Sequence, residues 1–426
     1  MPTLSQHKQE SIANLKQGPE HILFLDHLRG VAIIFVLLIH SFSWTFWPIY
    51  NEDQLRWSGW VRDLHAPLSF LALWPASLGW SGVSIFFVVS GFCIHLSHAR
   101  SSQKGFGTFF TRRFFRIYPP YLLAFLFFAF VFPQSRLGLG LGFATHHWNG
   151  NLTAFKETVA QVLTHVFLVQ NFSRHYCYAV SDAFWSIAVE VQLYALYPLL
   201  YWLAMRVGWL RVLYLTGMFE LGLRGLESIL SLLPHPAALP EWISGSPLFY
   251  WYSWSVGATL ADAYLKGTPL PFRNFSLRFW PLVFLLSYSL KPLAPFCFTL
   301  AAVSTVYLIA DLLSRPNLNL NMSGIRGLIL NGLRWTGIIS YSTYLIHEPI
   351  LSYWHDHLPG LFARLFHWHT VPLTVTFISC ISFCTVIIVL SYPFYRHIEL
   401  PSIAWGKRIL QKAKNSPRSE GGSPHY

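Results

Sequence analysis

The chain has 426 residues, of which 53% are hydrophobic and only 11% charged, and its formal net charge is +12. Soluble domains carry about a quarter charged residues, so this composition excludes an ordinary soluble protein and is typical of a membrane protein. The positive charge does not require nucleic acid, because Lys and Arg beside membrane spans contact anionic lipid and set the topology. We therefore expect membrane lipid as a partner, and no nucleic acid.

The apolar runs predict an all-α, polytopic membrane bundle with both termini in the cytoplasm. A membrane-spanning helix needs roughly 20 mostly apolar residues, and the chain offers about ten such runs. Residues 1–25 are predicted to be a cytoplasmic tail, residues 26–400 the transmembrane domain, and residues 401–426 a basic, flexible cytoplasmic tail. The predicted spans lie near residues 30–48, 80–97, 118–133, 184–205, 211–233, 248–265, 277–291, 294–313, 334–354 and 371–395.

The first predicted span carries two ionisable side chains on one face, Arg29 and His40. They are separated by close to three helical turns, or about 16 Å along the axis. Arg29 is expected at the cytoplasmic end, where Asp26 can pair with it, and His40 near mid-membrane. A neutral imidazole at that depth can act as a base, a nucleophile or a proton relay. The alternative is a lipid-anchoring arginine and a structural histidine.

A basic segment precedes the third predicted span and contains Arg112, Arg113 and Arg116. Guanidinium groups bind phosphate oxygens in pairs, so these residues are candidates for holding a phosphorylated donor. Arginines that reach the lipid headgroups and fix the topology are the alternative interpretation.

The fourth predicted span places Ser186, Glu190 and Tyr194 one helical turn apart, so that they form a polar stripe. A carboxylate within the membrane can orient a catalytic base or hold an acceptor hydroxyl. Its alternative is a structural bond to another helix. We predict Glu190 as a catalytic residue, and Ser186 and Tyr194 as substrate-binding residues.

The ninth predicted span contains a histidine and a carboxylate in succession, His347 and Glu348, which we predict to contact substrate. A packing role is the alternative for His347. The five cysteines form no CxxC pair, so neither a disulfide framework nor a metal site is expected.

Six segments taken together resemble the membrane acyltransferase 3 family, over Phe24 to about Pro401. They are FLDHLRGVAIIFVLLIH, GVSIFFVVSGFCI, FFTRRFFRIYP, FWSIAVEVQLYALYP, YSTYLIHEPI and YRHIELP. The resemblance implies transfer of an acyl group, usually acetyl from cytoplasmic acetyl-CoA, to a hydroxyl of a carbohydrate or glycolipid at the far side. By motif position, the resemblance also implies that Arg29 and His40 are the family's essential arginine and histidine. It implies that Arg112, Arg113 and Arg116 form the family's basic motif on the donor side. It also implies a bacterial inner membrane.

This chain departs from the family pattern at Ser84, Val191 and Glu348. The acceptor is therefore not carried over from any one relative. The oligomeric state stays open, a homo-oligomer included. A proton-coupled exporter is the chief alternative, because His and Glu at mid-membrane also serve proton relays. A third interpretation is a structural subunit of a polysaccharide assembly complex.

Overall fold

The structure is a computed structural model. It describes residues 22–46, 79, 81–101, 105–130, 152–177, 180–235, 237–269, 291–315, 323–366 and 373–415.

Every regular element within these residues is helical, which confirms the predicted all-α class. Five of the described helices are long and apolar enough to cross a membrane. Short helical turns connect several of the longer elements, among them Pro247–Tyr250 and Lys291–Phe296. The described residues contain twelve long helices: α1 (Leu23–Phe46), α2 (Ser81–Arg100), α3 (Phe106–Phe130), α4 (Leu152–Val166), α5 (Phe184–Val207), α6 (Trp209–Ser231), α7 (Trp251–Lys266), α8 (Cys297–Leu313), α9 (Gly324–Ile338), α10 (Ser340–Phe366), α11 (Leu373–Phe394) and α12 (Leu400–Asn415).

Most predicted spans coincide with one of these helices, and the predicted span 277–291 lies almost wholly outside the described residues. Two helices begin well before the predicted span. α1 begins at Leu23, and α3 begins at Phe106, so Arg113 and Arg116 lie within a helix that continues into the membrane. Both arginines therefore keep a fixed orientation relative to the apolar part of α3.

Three regions differ from the sequence prediction. The predicted span 334–354 is divided at Ile339 into α9 and α10. α4 was not predicted, because its apolar stretch is too short for a span. Residues 401–415, predicted as part of a flexible tail, are helical: α11 continues through a π-helical turn, Tyr395–Glu399, into α12. α12 packs on α3, where Ser402 donates to the Phe115 carbonyl oxygen.

Glycine permits the closest contacts between helices around the site. A Cβ on Gly91 of α2 would lie 2.1 Å from the Trp254 carbonyl oxygen, and a Cβ on Gly257 of α7 would lie 2.1 Å from that of Val88. Small residues let helix backbones approach in this way within membranes. The reciprocal pair fixes α2 against α7, and α2 carries six of the side chains that line the cavity described below.

A buried ion pair joins α6 to the starts of α7 and α8. Arg224 Nε lies 3.2 Å from Glu220 Oε1, and the two side chains are 4% and 0% exposed. Arg224 also donates to the carbonyl oxygens of Pro295 (2.6 Å) and Phe249 (2.8 Å). Glu220 accepts from the Ser253 hydroxyl and from other donors on α7 and α8. Because both the guanidinium and the carboxylate form hydrogen bonds to neighbouring helices, we interpret this ion pair as structural.

The buried side chain of His165 on α4, outside the candidate membrane spans, should make the stability of the protein sensitive to acid. It stacks on Phe125, with ring centroids 5.2 Å apart, and burial lowers the pKa of His165 to about 4, although a bond to the Gln161 carbonyl opposes this. In the unfolded chain His165 therefore takes up a proton at its ordinary pKa of about 6.5, whereas in the folded protein it stays neutral until about pH 4. Stability should fall as the pH drops below about 6.5, by about 2 kcal/mol at pH 5.

Unfolding of the wild type and of His165→Phe in detergent, at pH 7 and at pH 5, checks this expectation. The variant should lose about 2 kcal/mol less than the wild type on acidification. An equal loss in both proteins would remove His165 as the cause.

Candidate active site

One cavity of about 90 Å³ lies between α1, α2, α3, α5 and α10. Its charged and polar lining comes from residues far apart in sequence, and Val83, Phe86, Phe87, Ile94, Ile117 and Ile187 supply most of the apolar surface. The polar lining residues are Arg29, Ser90, Cys93, Arg113, Arg116, Ser186, Glu190, Tyr194, Ser340, Tyr341 and Tyr344. Six of the ten predicted site residues are therefore brought together here.

Arg29 is held at this cavity by the ion pair predicted from the sequence. Its guanidinium lies 3.0 Å from the Asp26 carboxylate, one helical turn earlier on α1. A second nitrogen donates to the Cys93 sulfur at 3.2 Å. The Asp26 side chain is only 3% exposed, whereas that of Arg29 is 20% exposed, so the guanidinium keeps a face towards the cavity.

The three arginines of α3 do not share one environment. Arg113 and Arg116 line the cavity, whereas Arg112 is exposed and lines a smaller depression with His98 and Thr108. Within the described residues neither Arg113 nor Arg116 forms a salt bridge, and the buried Arg113 Nε has no hydrogen-bond partner. Unpaired buried donors need an explanation, and an anionic ligand is one.

The polar stripe on α5 faces this cavity. The Ser90 hydroxyl donates to Glu190 Oε1 at 2.8 Å, and the Tyr194 hydroxyl donates to the same oxygen. Trp254 in turn donates to Ser90 at 3.3 Å. These bonds hold one oxygen of Glu190, while Oε2 accepts no hydrogen bond from the described part of the chain. The cavity thus contains three guanidinium groups and one carboxylate, an excess of positive charge.

Ser186 and Tyr344 lie together at the cavity wall. Their hydroxyl oxygens are 2.6 Å apart, and the Tyr344 hydroxyl also donates to the Ala183 carbonyl oxygen at 3.1 Å. The Phe86 ring packs edge-on against Tyr344, with centroids 6.1 Å apart. This contact joins α2, α5 and α10.

The predicted histidines lie beside each other but are not among the residues that line the cavity. The rings of His40 and His347 meet edge to face, with centroids 4.9 Å apart. Nδ1 of His40 donates to the Val36 carbonyl oxygen, and Nδ1 of His347 to that of Tyr344. Because a neutral imidazole has one N–H, Nε2 of each ring keeps its lone pair. Nε2 of His347 is buried without a hydrogen-bond partner among the described residues.

Glu190 was predicted to orient either the catalytic base or the acceptor hydroxyl. Among the described residues its hydrogen bonds come from Ser90 and Tyr194, and none joins it to His40. Glu348 also lies away from the cavity lining. It is 4% exposed and accepts from the Asp182 backbone N–H at 3.1 Å, just before α5 begins. A carboxylate is favourable at a helix N-terminus.

Ser90, Cys93 and Tyr344 line the site but were not singled out from the sequence. Tyr344 lies one turn before His347 in YSTYLIHEPI, so its place on the same helix face was available as a signal. Ser90 and Cys93 become recognisable only when α2 is packed against α5 and α1.

Comparisons with known proteins indicate that the chain is an acyltransferase. The sequence model of a family described as an acyltransferase domain, acyltransferase 3, matches residues 22–392. A relative named acyltransferase MdmB, from Streptomyces mycarofaciens, is 26% identical over 307 residues, which cover 69% of this chain and 74% of the relative. No solved structure matches the chain.

Proposed function

Because the chain belongs to the acyltransferase 3 family and is a membrane acyltransferase, we propose that it takes an acetyl group from cytoplasmic acetyl-CoA. The acceptor is a hydroxyl of a carbohydrate or glycolipid on the extracytoplasmic side. The membrane is the inner membrane of a bacterium.

The observation that carries this proposal is the cavity with its three guanidinium groups. Arg29 is already neutralised by Asp26, whereas Arg113 and Arg116 have no salt bridge within the described residues. Acyl-CoA supplies the phosphate oxygens that such groups bind. The part of the cavity lined by Arg113 and Arg116 is therefore the donor-phosphate site of the proposal.

The length of the cavity suits the thioester arm of the donor. On α2 the lining runs from Ile94 to Val83, which is about 16 Å along the helix. The wall changes along this length from Arg29, Arg113 and Cys93 at one end to Val83, Phe86 and Ile187 at the other. In the proposal the phosphates stay at the basic end, and the acyl group reaches the apolar end.

The chemical step uses the histidine pair beyond that apolar end. The acceptor hydroxyl attacks the thioester carbonyl, the C–S bond breaks, and the departing CoA thiolate takes a proton. Nε2 of His40 receives the hydroxyl proton, or Nε2 itself carries the acyl group before the acceptor does. Glu190 lines the cavity, and because its Oε2 accepts no hydrogen bond from the described residues, this oxygen can accept one from the pantetheine amides or from the acceptor.

Binding of coenzyme A to purified variants tests the donor site. Charge-assisted hydrogen bonds contribute about 1.5–3 kcal/mol each, so Arg113→Ala combined with Arg116→Ala should raise Kd by about a hundredfold or more. Isothermal titration calorimetry measures this Kd directly.

Arg112→Ala is the matched control, because Arg112 lies on the same helix but outside the cavity. Its Kd should change by less than about threefold, the size of a weak surface interaction. Unchanged coenzyme A binding in the double variant, or an equal loss in the Arg112 variant, would contradict the proposed donor site.

A further inference from the structure

Tyr344 forms part of the cavity wall on the side of the histidine pair. Its hydroxyl is held by Ser186 at 2.6 Å and by the Ala183 carbonyl oxygen at 3.1 Å, both at the start of α5. The Phe86 ring packs edge-on against the Tyr344 ring. Three helices thus meet at the Tyr344 ring, which is 6% exposed.

The histidine pair lies directly behind this ring. The centroid of Tyr344 is 5.3 Å from that of His347, which in turn contacts His40 at 4.9 Å. Tyr344 lines the cavity, whereas neither histidine does. The ring therefore separates the donor cavity from the two Nε2 lone pairs by the thickness of one side chain.

His347 carries an independent sign that this separation is temporary. Its side chain is fully buried and its Nε2 has no hydrogen-bond partner among the described residues. Buried polar atoms are nearly always satisfied, so an orphaned acceptor needs an explanation, and a partner gained in another state is one. A displaced Tyr344 would bring the contents of the cavity next to this nitrogen.

We propose that Tyr344 is a gate between the donor cavity and the His40–His347 pair, and that the hydroxyl contact with Ser186 and Ala183 is its closed position. The gate rests on the proposed function in one respect, namely that the cavity holds an acyl donor. In the closed position it keeps the thioester away from the histidines and from acceptor-side water, and opening joins the two compartments for the transfer. Closures of this kind protect reactive donors from hydrolysis.

Tyr344→Phe tests the gate, because it removes both hydroxyl contacts and keeps the ring. The first readout is the reactivity of His40 and His347 towards diethyl pyrocarbonate, measured by mass spectrometry, with the exposed His175 as internal reference. Loss of net hydrogen-bond free energy should raise their reactivity by about threefold to tenfold. The second readout is acetyl-CoA hydrolysis without acceptor, which should rise similarly.

Tyr341→Phe is the matched control. Tyr341 lines the same cavity and its hydroxyl also donates to a backbone carbonyl, that of Ile117 at 2.8 Å. Within the described part of the chain, however, Tyr341 contacts neither Ser186 nor the histidines. Histidine reactivity in this variant should stay at the wild-type level. Ser186→Ala, which removes only one of the two contacts, should give an intermediate increase.

Histidine reactivity decides the gate even if the donor assignment is wrong. If acetyl-CoA stays intact with every protein, the proposed function fails, while higher reactivity in Tyr344→Phe still supports a gate. Equal reactivity in the wild type, Tyr344→Phe and Tyr341→Phe would overturn the gate, whatever the enzyme does to acetyl-CoA.

Discussion

Replacing His40 with alanine is expected to lower acyl transfer by about two to four orders of magnitude, the usual contribution of a general base. The hydrogen bond from Nδ1 to the Val36 carbonyl leaves Nε2 as the nitrogen that can accept a proton. The rate of label transfer from acetyl-CoA measures the loss.

His27 provides a matched control on the same helix. It makes the same local contact, with Nδ1 donating to the carbonyl oxygen of Leu23 four residues earlier at 2.9 Å, but it lies near the start of α1, about 20 Å along the helix from His40. His27→Ala should keep most of the activity. Circular dichroism and gel filtration establish that both variants fold. Full activity in a folded His40→Ala protein would exclude His40 from the chemical step.

The second large effect concerns stability. Glu220→Leu leaves the Arg224 guanidinium buried without its carboxylate, and breaking a buried pair in this way costs about 3–5 kcal/mol. The starts of α7 and α8 should loosen, because Arg224 joins the carbonyl oxygens of Phe249 and Pro295. Unfolding of the purified protein in mixed detergent gives the free energy.

The Lys266–Asp262 pair is the control for this effect. It has the same spacing on a helix, but Lys266 is 61% exposed. Lys266→Ala should therefore change stability by less than about 1 kcal/mol. Combining Glu220→Leu with Arg224→Leu should cost less than Glu220→Leu alone, since no charge is then left unpaired. A small effect of Glu220→Leu would show that solvent reaches the pair.

The parts of the fold set by local pattern were predictable from the sequence. The apolar runs gave the helical class, and the spacing of Asp26 and Arg29 predicted the ion pair that the structure shows. The stripe on α5 was also predictable, because side chains four residues apart share a helix face.

What depends on contact between distant segments was not predictable. The division at Ile339 accompanies the close packing of α9 on α1, where Gly337 meets the Asp26 carbonyl oxygen. Sequence spacing placed Arg29 and His40 on one face. It could not show that Tyr344, from a helix some 300 residues later, lines the cavity and packs on His347, which in turn contacts His40.

The buried pair on α6 also has a signal in the sequence. Glu220 and Arg224 lie one turn apart in a predicted span, and ionisable residues inside a membrane call for a partner or a function. Their separation by four residues predicts a pair. The structure shows that pair, with a structural role.

Purified protein incubated with acetyl-CoA that carries a radiolabel in its acetyl group tests the central claim most directly. The proposed function predicts that the wild type releases the label from coenzyme A, to an acceptor hydroxyl or to water, faster than a protein-free sample. His40→Ala, by contrast, binds coenzyme A without releasing the label. Label that stays on coenzyme A with the folded wild type, at the rate seen without protein, would contradict the assignment of acetyl-CoA as donor.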